Sequence, residues 1–188
     1  RREMEAEQAR KQLSDVLERM PAGILIYDAQ DRFVYANKEL QDSLPGLTPA
    51  WRPGSTLREA FEYGHSIGYF RRSGIVEVDA LYDTDKERWI DAITKRYHLK
   101  HFTCERMNPN GRWYQVHDMR VEDGTFIGVR VDITELKNRE RALRDSMNQI
   151  DLLRHTLDEL PVAAFIKAKD LRIEYVNKVW SEMTGISK

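Results

Sequence analysis

The stretch Asp31–Gly46, "DRFVYANKELQDSLPG", has a counterpart near the end of the chain, Leu171–Gly185, "LRIEYVNKVWSEMTG". One offset, of 140 residues, aligns these passages and the residues before them without a gap. From Leu17 onward, the identical pairs are Leu17/Leu157, Pro21/Pro161, Ile26/Ile166, Arg32/Arg172, Tyr35/Tyr175, Asn37/Asn177 and Lys38/Lys178. The offset is too long for a solenoid repeat and suits tandem domains of about 110 residues with a linker. We therefore expect one complete domain and the start of a second.

The composition excludes several classes of protein. Lys and Arg (30) nearly balance Asp and Glu (31) among 188 residues, so no basic field attracts nucleic acid or an anionic membrane. A single cysteine, Cys104, rules out an internal disulfide and favours a cytoplasmic location. No apolar run approaches the roughly 20 residues needed to span a bilayer. We expect no nucleic-acid or direct membrane contact in this chain, and a membrane attachment elsewhere in a longer protein is compatible with this.

Apolar runs rich in β-formers indicate five strands. "GILIYD" and "RFVYAN" predict a hairpin, and "YHLKHFTCERM", "GRWYQVHDMRV" and "GTFIGVRVDIT" predict a meander with turns at "NPNG" and "EDG". Helix formers lie between the two groups of strands, with Ser55 or Thr56 capping one helix and Asp83 or Thr84 capping the next. This order predicts an α+β fold with helices on one face of an antiparallel sheet.

Helical segments flank this region on both sides. Residues 1–20 contain no glycine or proline, and Leu13, Val16 and Met20 follow one narrow apolar stripe. Residues 135–158 have a clearer stripe, formed by Leu136, Leu143, Ile150, Leu153 and Leu157 on an otherwise charged helix. The stripe predicts a parallel coiled coil between two copies of the chain. The alternative is that each helix packs on its own domain.

The element order and several motifs resemble the PAS (Per-Arnt-Sim) sensory family. The motifs are "YAN" after the second strand and Asp132-Ile133-Thr134 in "VRVDITELKNRERAL". "PAGILIYDAQDRFVYANKEL", "RPGSTLREAF" and "NGRWYQVHDMRVEDGTFIGVRVDITELK" are similar to a PAS subfamily common in bacterial sensor histidine kinases and diguanylate cyclases. The expected organisation is an N-terminal signalling helix (1–20), a five-stranded PAS domain (21–134), a coiled-coil linker helix (135–158) and the start of a second PAS domain (159–188).

The resemblance implies a signal-relay junction at Asp132, Ile133 and Thr134, from which the last strand passes its state to the outgoing helix. From the residues alone, Thr134 is a suitable N-cap for a helix that begins at Glu135, and Asp132 can accept hydrogen bonds there. A cap with no signalling role is the simpler alternative. Asn37, by contrast, is read as a structural residue of the turn after the second strand.

The resemblance also implies a small-molecule pocket between sheet and helices. The candidate lining residues are His65, Tyr69, Tyr97 and Trp113, although core packing is the default role of aromatic side chains. A haem iron on His65 fits the position of axial histidines in haem-binding PAS sensors, but one histidine is weak support. We therefore predict no cofactor and no metal site, and leave a ligand of unknown identity open.

The sequence has no phosphate loop, no nucleophile elbow and no paired catalytic side chains. We therefore predict that this chain is not an enzyme. It is expected to be a homodimeric sensory and relay module, joined to a neighbouring PAS domain and an output domain in a multidomain bacterial signalling protein. A two-component sensor histidine kinase is the first choice of output. The sensor region of a diguanylate cyclase or phosphodiesterase and a ligand-free dimerisation scaffold are the alternatives.

Overall fold

The computed structural model describes residues 2–185. Position 1 of the predicted N-terminal helix and positions 186–188 of the predicted second domain lie outside the described residues. The chain divides into two compact units, and the boundary falls between Glu135 and Leu136.

The first unit contains a five-stranded antiparallel sheet, which confirms the predicted fold class. Its strands are β1 (Gly23–Tyr27), β2 (Phe33–Ala36), β3 (His101–Met107), β4 (Trp113–Arg120) and β5 (Phe126–Asp132). They lie in the order β2-β1-β5-β4-β3. The predicted hairpin and meander are both present, and β1 joins them by pairing with β5 from Gly23 opposite Arg130 to Tyr27 opposite Phe126.

Helices fill the sequence around and between these two groups of strands. They are α1 (Arg2–Arg19), α2 (Lys38–Ser43), a 3₁₀ helix (Pro45–Ala50), α3 (Leu57–Ser66), α4 (Val76–Asp79) and α5 (Lys86–Tyr97). The helices between β2 and β3 pack their apolar side chains against one face of the sheet. Phe61 of α3 is at the centre of this core, with edge-to-face ring contacts to Trp89 and Tyr97 of α5.

Local hydrogen bonds define where the two longer core helices begin. Thr56 caps α3, and a full capping box forms because the Glu59 carboxylate accepts a hydrogen bond from the Thr56 backbone amide at 2.6 Å. The predicted cap at Asp83 or Thr84 is wrong, since Asp85 caps α5. The reason is that Thr84 and Asp85 still close a turn onto the carbonyl of Leu81, which delays the helix by one to two residues.

Asn37 connects three elements of the first unit through one fully buried side chain. Its Nδ2 donates to the carbonyl of Leu17 in α1 at 2.9 Å and to that of Ala22 at 2.8 Å. Its Oδ1 accepts from the amide of Ile24 in β1 at 2.8 Å and from the amide of Leu40 in α2 at 3.1 Å. The carboxamide therefore uses both donor hydrogens and both acceptor positions, and it fixes the end of α1 to the sheet.

A second contact holds the same helix end. The carboxylate of Glu18 accepts hydrogen bonds from the Tyr35 hydroxyl at 2.5 Å and from the Lys38 amide at 3.1 Å. Partial burial and the Glu18 carboxylate raise the pKa of Tyr35, so its hydroxyl remains a donor. The last turn of α1 is thus attached to the residues that flank Asn37 on both sides.

The second unit repeats these contacts at the 140-residue offset. Its elements are α6 (Thr134–Asp158, which starts in the first unit), β6 (Phe165–Lys167), β7 (Ile173–Val176) and α7 (Lys178–Thr184). Asn177 donates to Leu157 and Val162 at 3.0 and 2.8 Å, and accepts from Ala164 and Trp180 at 2.9 and 3.0 Å. The Glu18 contact is repeated by Asp158, Tyr175 and Lys178. The residues that repeat in the sequence therefore form the same hydrogen bonds in both units.

Replacing Asn37 with alanine should destabilise the first unit strongly. The variant leaves the buried Ile24 amide and the Ala22 carbonyl without partners, and each such group costs about 1–3 kcal/mol. We expect a loss of roughly 2–4 kcal/mol in the free energy of unfolding. Urea titration followed by tryptophan fluorescence measures it, because Trp51, Trp89 and Trp113 lie in this unit.

The matched control is Asn148→Ala, on an exposed position of α6. It should change the stability of the first unit by less than about 0.5 kcal/mol. An Asn37→Ala variant as stable as this control would refute the role given to the Asn37 side chain.

Candidate functional site

The predicted relay residues lie where β5 ends and α6 begins. The amide of Ile133 donates to the carbonyl of Trp113 at 2.8 Å, and the Thr134 hydroxyl oxygen accepts from the Trp113 amide at 2.9 Å. Thr134 is the first residue of α6, and its side chain bonds the neighbouring strand β4, contrary to the predicted capping role. The first turn of α6 is therefore fastened to the sheet through two bonds to one residue.

Asp132 supplies the cap that was expected of Thr134. Its Oδ1 accepts from the Thr134 amide at 2.8 Å, and its Oδ2 pairs with Arg112 at 3.1 Å. Partial burial acts to raise the pKa of the Asp132 carboxyl, but hydrogen bonding from Thr134 and the charge of Arg112 outweigh it and lower the pKa. The carboxylate is therefore ionised at neutral pH, the form that best accepts these bonds.

The predicted coiled-coil residues all lie on α6, and none of the helix's side chains is buried. Leu136, Leu143, Ile150 and Leu153 are each at least half exposed, with Leu143 at 64%. Leu157 is half-buried. An apolar stripe with this exposure along a 25-residue helix has the pattern of a coiled-coil seam.

A cleft of about 310 Å³ opens beside the ends of α2 and β3. Its lining is apolar and aromatic, with three arginines and no acidic residue: Leu44, Leu47, Gly68, Tyr69, Phe70, Arg71, Arg72, Arg106, Met107, Asn108, Pro109 and Gly111. A smaller cavity of about 20 Å³, close to the size of one water molecule, lies within the adjoining core. Leu44, Leu47, Phe70 and Arg106 line both spaces.

The structure separates the four residues predicted to line a pocket. Tyr69 lines the cleft, and Tyr97 lines the small internal cavity. His65 stacks on Tyr82 with 4.4 Å between ring centroids, and its Nε2 lies 2.9 Å from the Tyr82 carbonyl. Trp113 alternates with the buried residues of β4 and so belongs to the other face of the sheet. Neither His65 nor Trp113 lines the cleft or the internal cavity.

Charged side chains on the core face of the sheet are the feature that the sequence analysis missed. Asp118 of β4 pairs with Arg96 of α5 at 3.0 Å and with Arg130 of β5 at 2.5 Å, and all three are nearly fully buried. Gly128 lies opposite Asp118 in the sheet, and a Cβ there would approach both Asp118 and Arg130 to about 3 Å. Glycine is therefore what leaves room for this ion pair.

Arg106 of β3 is a third buried arginine in this region, and it is 6% exposed. Within residues 2–185 its side chain has no hydrogen-bond or ion-pair partner, and its Nε is buried without an acceptor. Strand alternation could have revealed it, because Phe102, Cys104 and Arg106 share one face of β3. The same alternation places Asp118 and Arg130 among core residues of β4 and β5.

The described part of the chain shows neither a metal-binding group nor a membrane-spanning helix. No three His, Cys, Asp or Glu side chains there come close enough to share a metal ion. None of its helices combines the length and the hydropathy needed to cross a bilayer.

Comparison with known proteins places this architecture in a family. A family model described as "PAS fold" matches residues 17–141, which is more than half of the chain. A second model, described as "PAS domain", matches residues 151–188. A comparison with curated proteins found no match.

Several solved structures are similar at low identity. The PAS domain of an HTR-like protein from Haloarcula marismortui is 16% identical, covers 70% of this chain and 98% of its own, and has a TM-score of 0.43. The PAS domain of BvgS from Bordetella pertussis is 19% identical over 76% of this chain and 98% of its own, with a TM-score of 0.42. The phage VqmA–DPO complex is 16% identical over 97% and 75%, also with a TM-score of 0.42. These values are too low to transfer a function.

The five-stranded antiparallel sheet, the helices on its core face and the two family matches agree with one another. The chain belongs to the PAS family, with a PAS domain at residues 17–141 followed by the start of a second.

Proposed function

We propose that this chain is the sensory and signal-relay part of a multidomain signalling protein, in which the sheet of the first PAS domain controls α6. The observation that supports this is the pair of bonds from Ile133 and Thr134 to the backbone of Trp113. Any shift of β4 against β5 changes the geometry of these bonds. The start of α6 therefore follows the sheet.

The relay works as a population shift between two arrangements of α6. The helix continues without a break from Thr134 to Asp158, so a tilt or rotation at its first turn is carried along its length. Its last turn is tied to the second unit by the bonds from Asn177 to Leu157 and from Tyr175 to Asp158. One helix thus has a defined attachment at each end.

Dimerisation through α6 is the second part of the proposal. The stripe formed by Leu136, Leu143, Ile150 and Leu157 has the seven-residue spacing of a coiled coil. Leu136, Leu143 and Ile150 are at least half exposed, and Leu157 is half-buried. Pairing two copies in parallel buries these side chains and places equivalent residues side by side. A change in either sheet then alters the register between two helices.

The output domain proposed here is a histidine kinase, because the sequence segments resemble the PAS subfamily common in such proteins. A cytoplasmic location belongs to the same proposal and rests on the single cysteine. The intact protein should therefore transfer phosphate from ATP to one of its own histidines. Acid-labile labelling by radioactive ATP measures this. Synthesis of a cyclic dinucleotide from GTP without such labelling would instead identify a diguanylate cyclase.

Charge on the α6 stripe should dissociate the dimer. In Leu143→Asp/Ile150→Asp, four carboxylates in each dimer would face one another inside an apolar seam. We expect sedimentation equilibrium to show the parent chain as a dimer and this variant as a monomer. The control, Arg141→Asp/Asn148→Asp, adds acidic side chains two residues before each stripe position and should stay dimeric. A parent chain that sediments as a monomer would refute the coiled coil.

Disulfide cross-linking should show both the parallel pairing and the relay. In a Cys104→Ala background, Ile150→Cys should cross-link to its own equivalent in the partner copy, and Asn148→Cys should not. Adding Asp132→Ala/Thr134→Val releases the start of α6 from the sheet. We expect the cross-linking rate to change by roughly fivefold or more, as for a typical coupling between two sites.

The control for this experiment is Asp42→Ala/Thr103→Val, which makes the same substitutions at exposed positions away from the junction. It should leave the cross-linking rate unchanged. If the junction variant also leaves the rate unchanged while cross-linking persists, the chain is a dimerisation scaffold and the relay is refuted.

A further inference from the structure

The core face of the sheet carries more positive charge than its buried acid can balance. Arg96, Arg106 and Arg130 are all buried there, and Asp118 is the buried carboxylate among them. Both oxygens of Asp118 are engaged by Arg96 and Arg130. Arg96 also lies over the ring of Phe102 at 3.9 Å and that of Tyr97 at 4.7 Å. Arg96 and Arg130 therefore each have an acidic partner, although Nε and Nη1 of Arg96 remain without an acceptor, and no described residue pairs with Arg106.

Burial of the Arg106 Nε is costly, because this N–H group loses water and gains no acceptor. Burial and the neighbouring charges of Arg130 and Arg96 lower the pKa of Arg106, in keeping with an unfavourable site for the cation. An arginine in a folded protein nevertheless remains protonated. No described carboxylate pairs directly with Arg106, so an anion that reached it would meet an uncompensated positive charge.

The cleft gives such an anion a route to Arg106. Its volume of about 310 Å³ matches a small metabolite, and Arg71 and Arg72 add positive charge at its exposed side. Arg71 is already paired with Asp83 at 2.6 Å, whereas Arg106 is the arginine that also lines the internal cavity. The ligand charge is therefore expected to lie at Arg106.

The backbone beside the cleft is held in an unusual conformation. Phe70, which lines the cleft, has a φ of +66°, which is uncommon for a residue with a side chain. Its ring packs on Phe61 and fills the space that a Cβ at Gly64 would occupy, at 2.3 Å. Conformations of this kind collect at ligand sites, where the surrounding structure maintains them.

We propose that this cleft binds a small organic carboxylate, which forms a paired hydrogen bond with the guanidinium of Arg106. The planar fork of arginine matches the two oxygens of a carboxylate. Leu44, Leu47, Phe70 and Met107 supply an apolar wall, so the ligand has an apolar body attached to its charge. This mostly apolar lining favours a monoanion over inorganic phosphate, whose second charge costs more to remove from water.

A small organic carboxylate would thus be the ligand of the proposed sensor. Any effect of this ligand on signalling rests on the proposed relay, whereas binding of the ligand does not. Binding the carboxylate would neutralise the excess charge beneath the sheet. Because Arg106 lies on β3 and pairs across the ladder with Tyr114 of β4, the strand that fastens α6 is the one next to the ligand.

Titration of the 188-residue chain with sodium benzoate tests the proposal, with amide NMR spectra recorded at constant ionic strength. We expect shifts at Leu44, Phe70 and Met107 that saturate with one binding constant. Arg106→Met should weaken that constant by roughly 10- to 100-fold, as expected for loss of a hydrogen bond to a charged group. Arg106→Lys keeps the charge without the fork and should bind with intermediate affinity.

Thermal unfolding without ligand provides a second readout. Because no described residue pairs with Arg106, Arg106→Met should raise the melting temperature of the protein measured without ligand. A purely structural arginine would give the opposite result, a lower melting temperature. The control Arg88→Met removes an exposed arginine by the same substitution and should alter neither benzoate binding nor the melting temperature.

Three results would overturn the proposal. They are an absence of saturable shifts at the cleft with benzoate and with hexanoate, equal benzoate affinity in Arg106→Met and the parent chain, and tighter binding of inorganic phosphate than of benzoate. Cross-linking of the Ile150→Cys variant distinguishes failure of the ligand site from failure of the relay. Binding without any change in cross-linking refutes the relay alone, and a junction effect without binding refutes the ligand site alone.

Discussion

The buried side chain of Asn37 joins the entering helix of the first unit to its sheet. A carboxamide has two donor hydrogens and two acceptor positions, and here all four are used on backbone groups of α1, β1, α2 and the turn between the first two. Aspartate at position 37 would lose both donor hydrogens, and alanine would lose all four side-chain hydrogen bonds. The same four bonds recur at Asn177. In each unit, the end of the first helix is therefore held against a hairpin. A chain of such units passes from helix to sheet and back to helix through fixed attachments.

The core face of the sheet is the second organising feature. Most of it is apolar and packs beneath α3 and α5, yet it accommodates one paired acid and three arginines. The Asp118–Arg130 pair needs the space left by Gly128, and Arg96 completes the pair from α5. Buried ion pairs contribute little net stability, because desolvation offsets their attraction. This ion pair and Arg106, which has no described partner beside the cleft, are the observations from which the carboxylate site is proposed.

The junction at Asp132–Thr134 links these two features to α6. It was recognisable from sequence because three consecutive residues stand where a strand gives way to a charged helix. The roles of its members were less accessible. A threonine hydroxyl at the start of a helix can accept from a helix amide, which predicts Thr134 as the cap. In the folded chain that hydroxyl accepts from Trp113, 21 residues away, and Asp132 caps the helix instead. A local rule failed because a neighbouring strand offered a competing partner.

Short-range patterns in the sequence predict the five strands, the hairpin and the meander, a cap for α3 at Ser55 or Thr56, the apolar stripe on α6 and the repeat of Asn37 at Asn177. These follow from alternation, turn residues and capping, which act over a few positions. The pairing of β1 with β5, the start of α5 at Asp85 and the separation of His65 from the cleft came only from the tertiary structure. The lack of a described partner for Arg106 was likewise visible only in the folded chain. Burial places a charge among others from distant strands and helices, and whether it finds a partner depends on packing that no local pattern encodes.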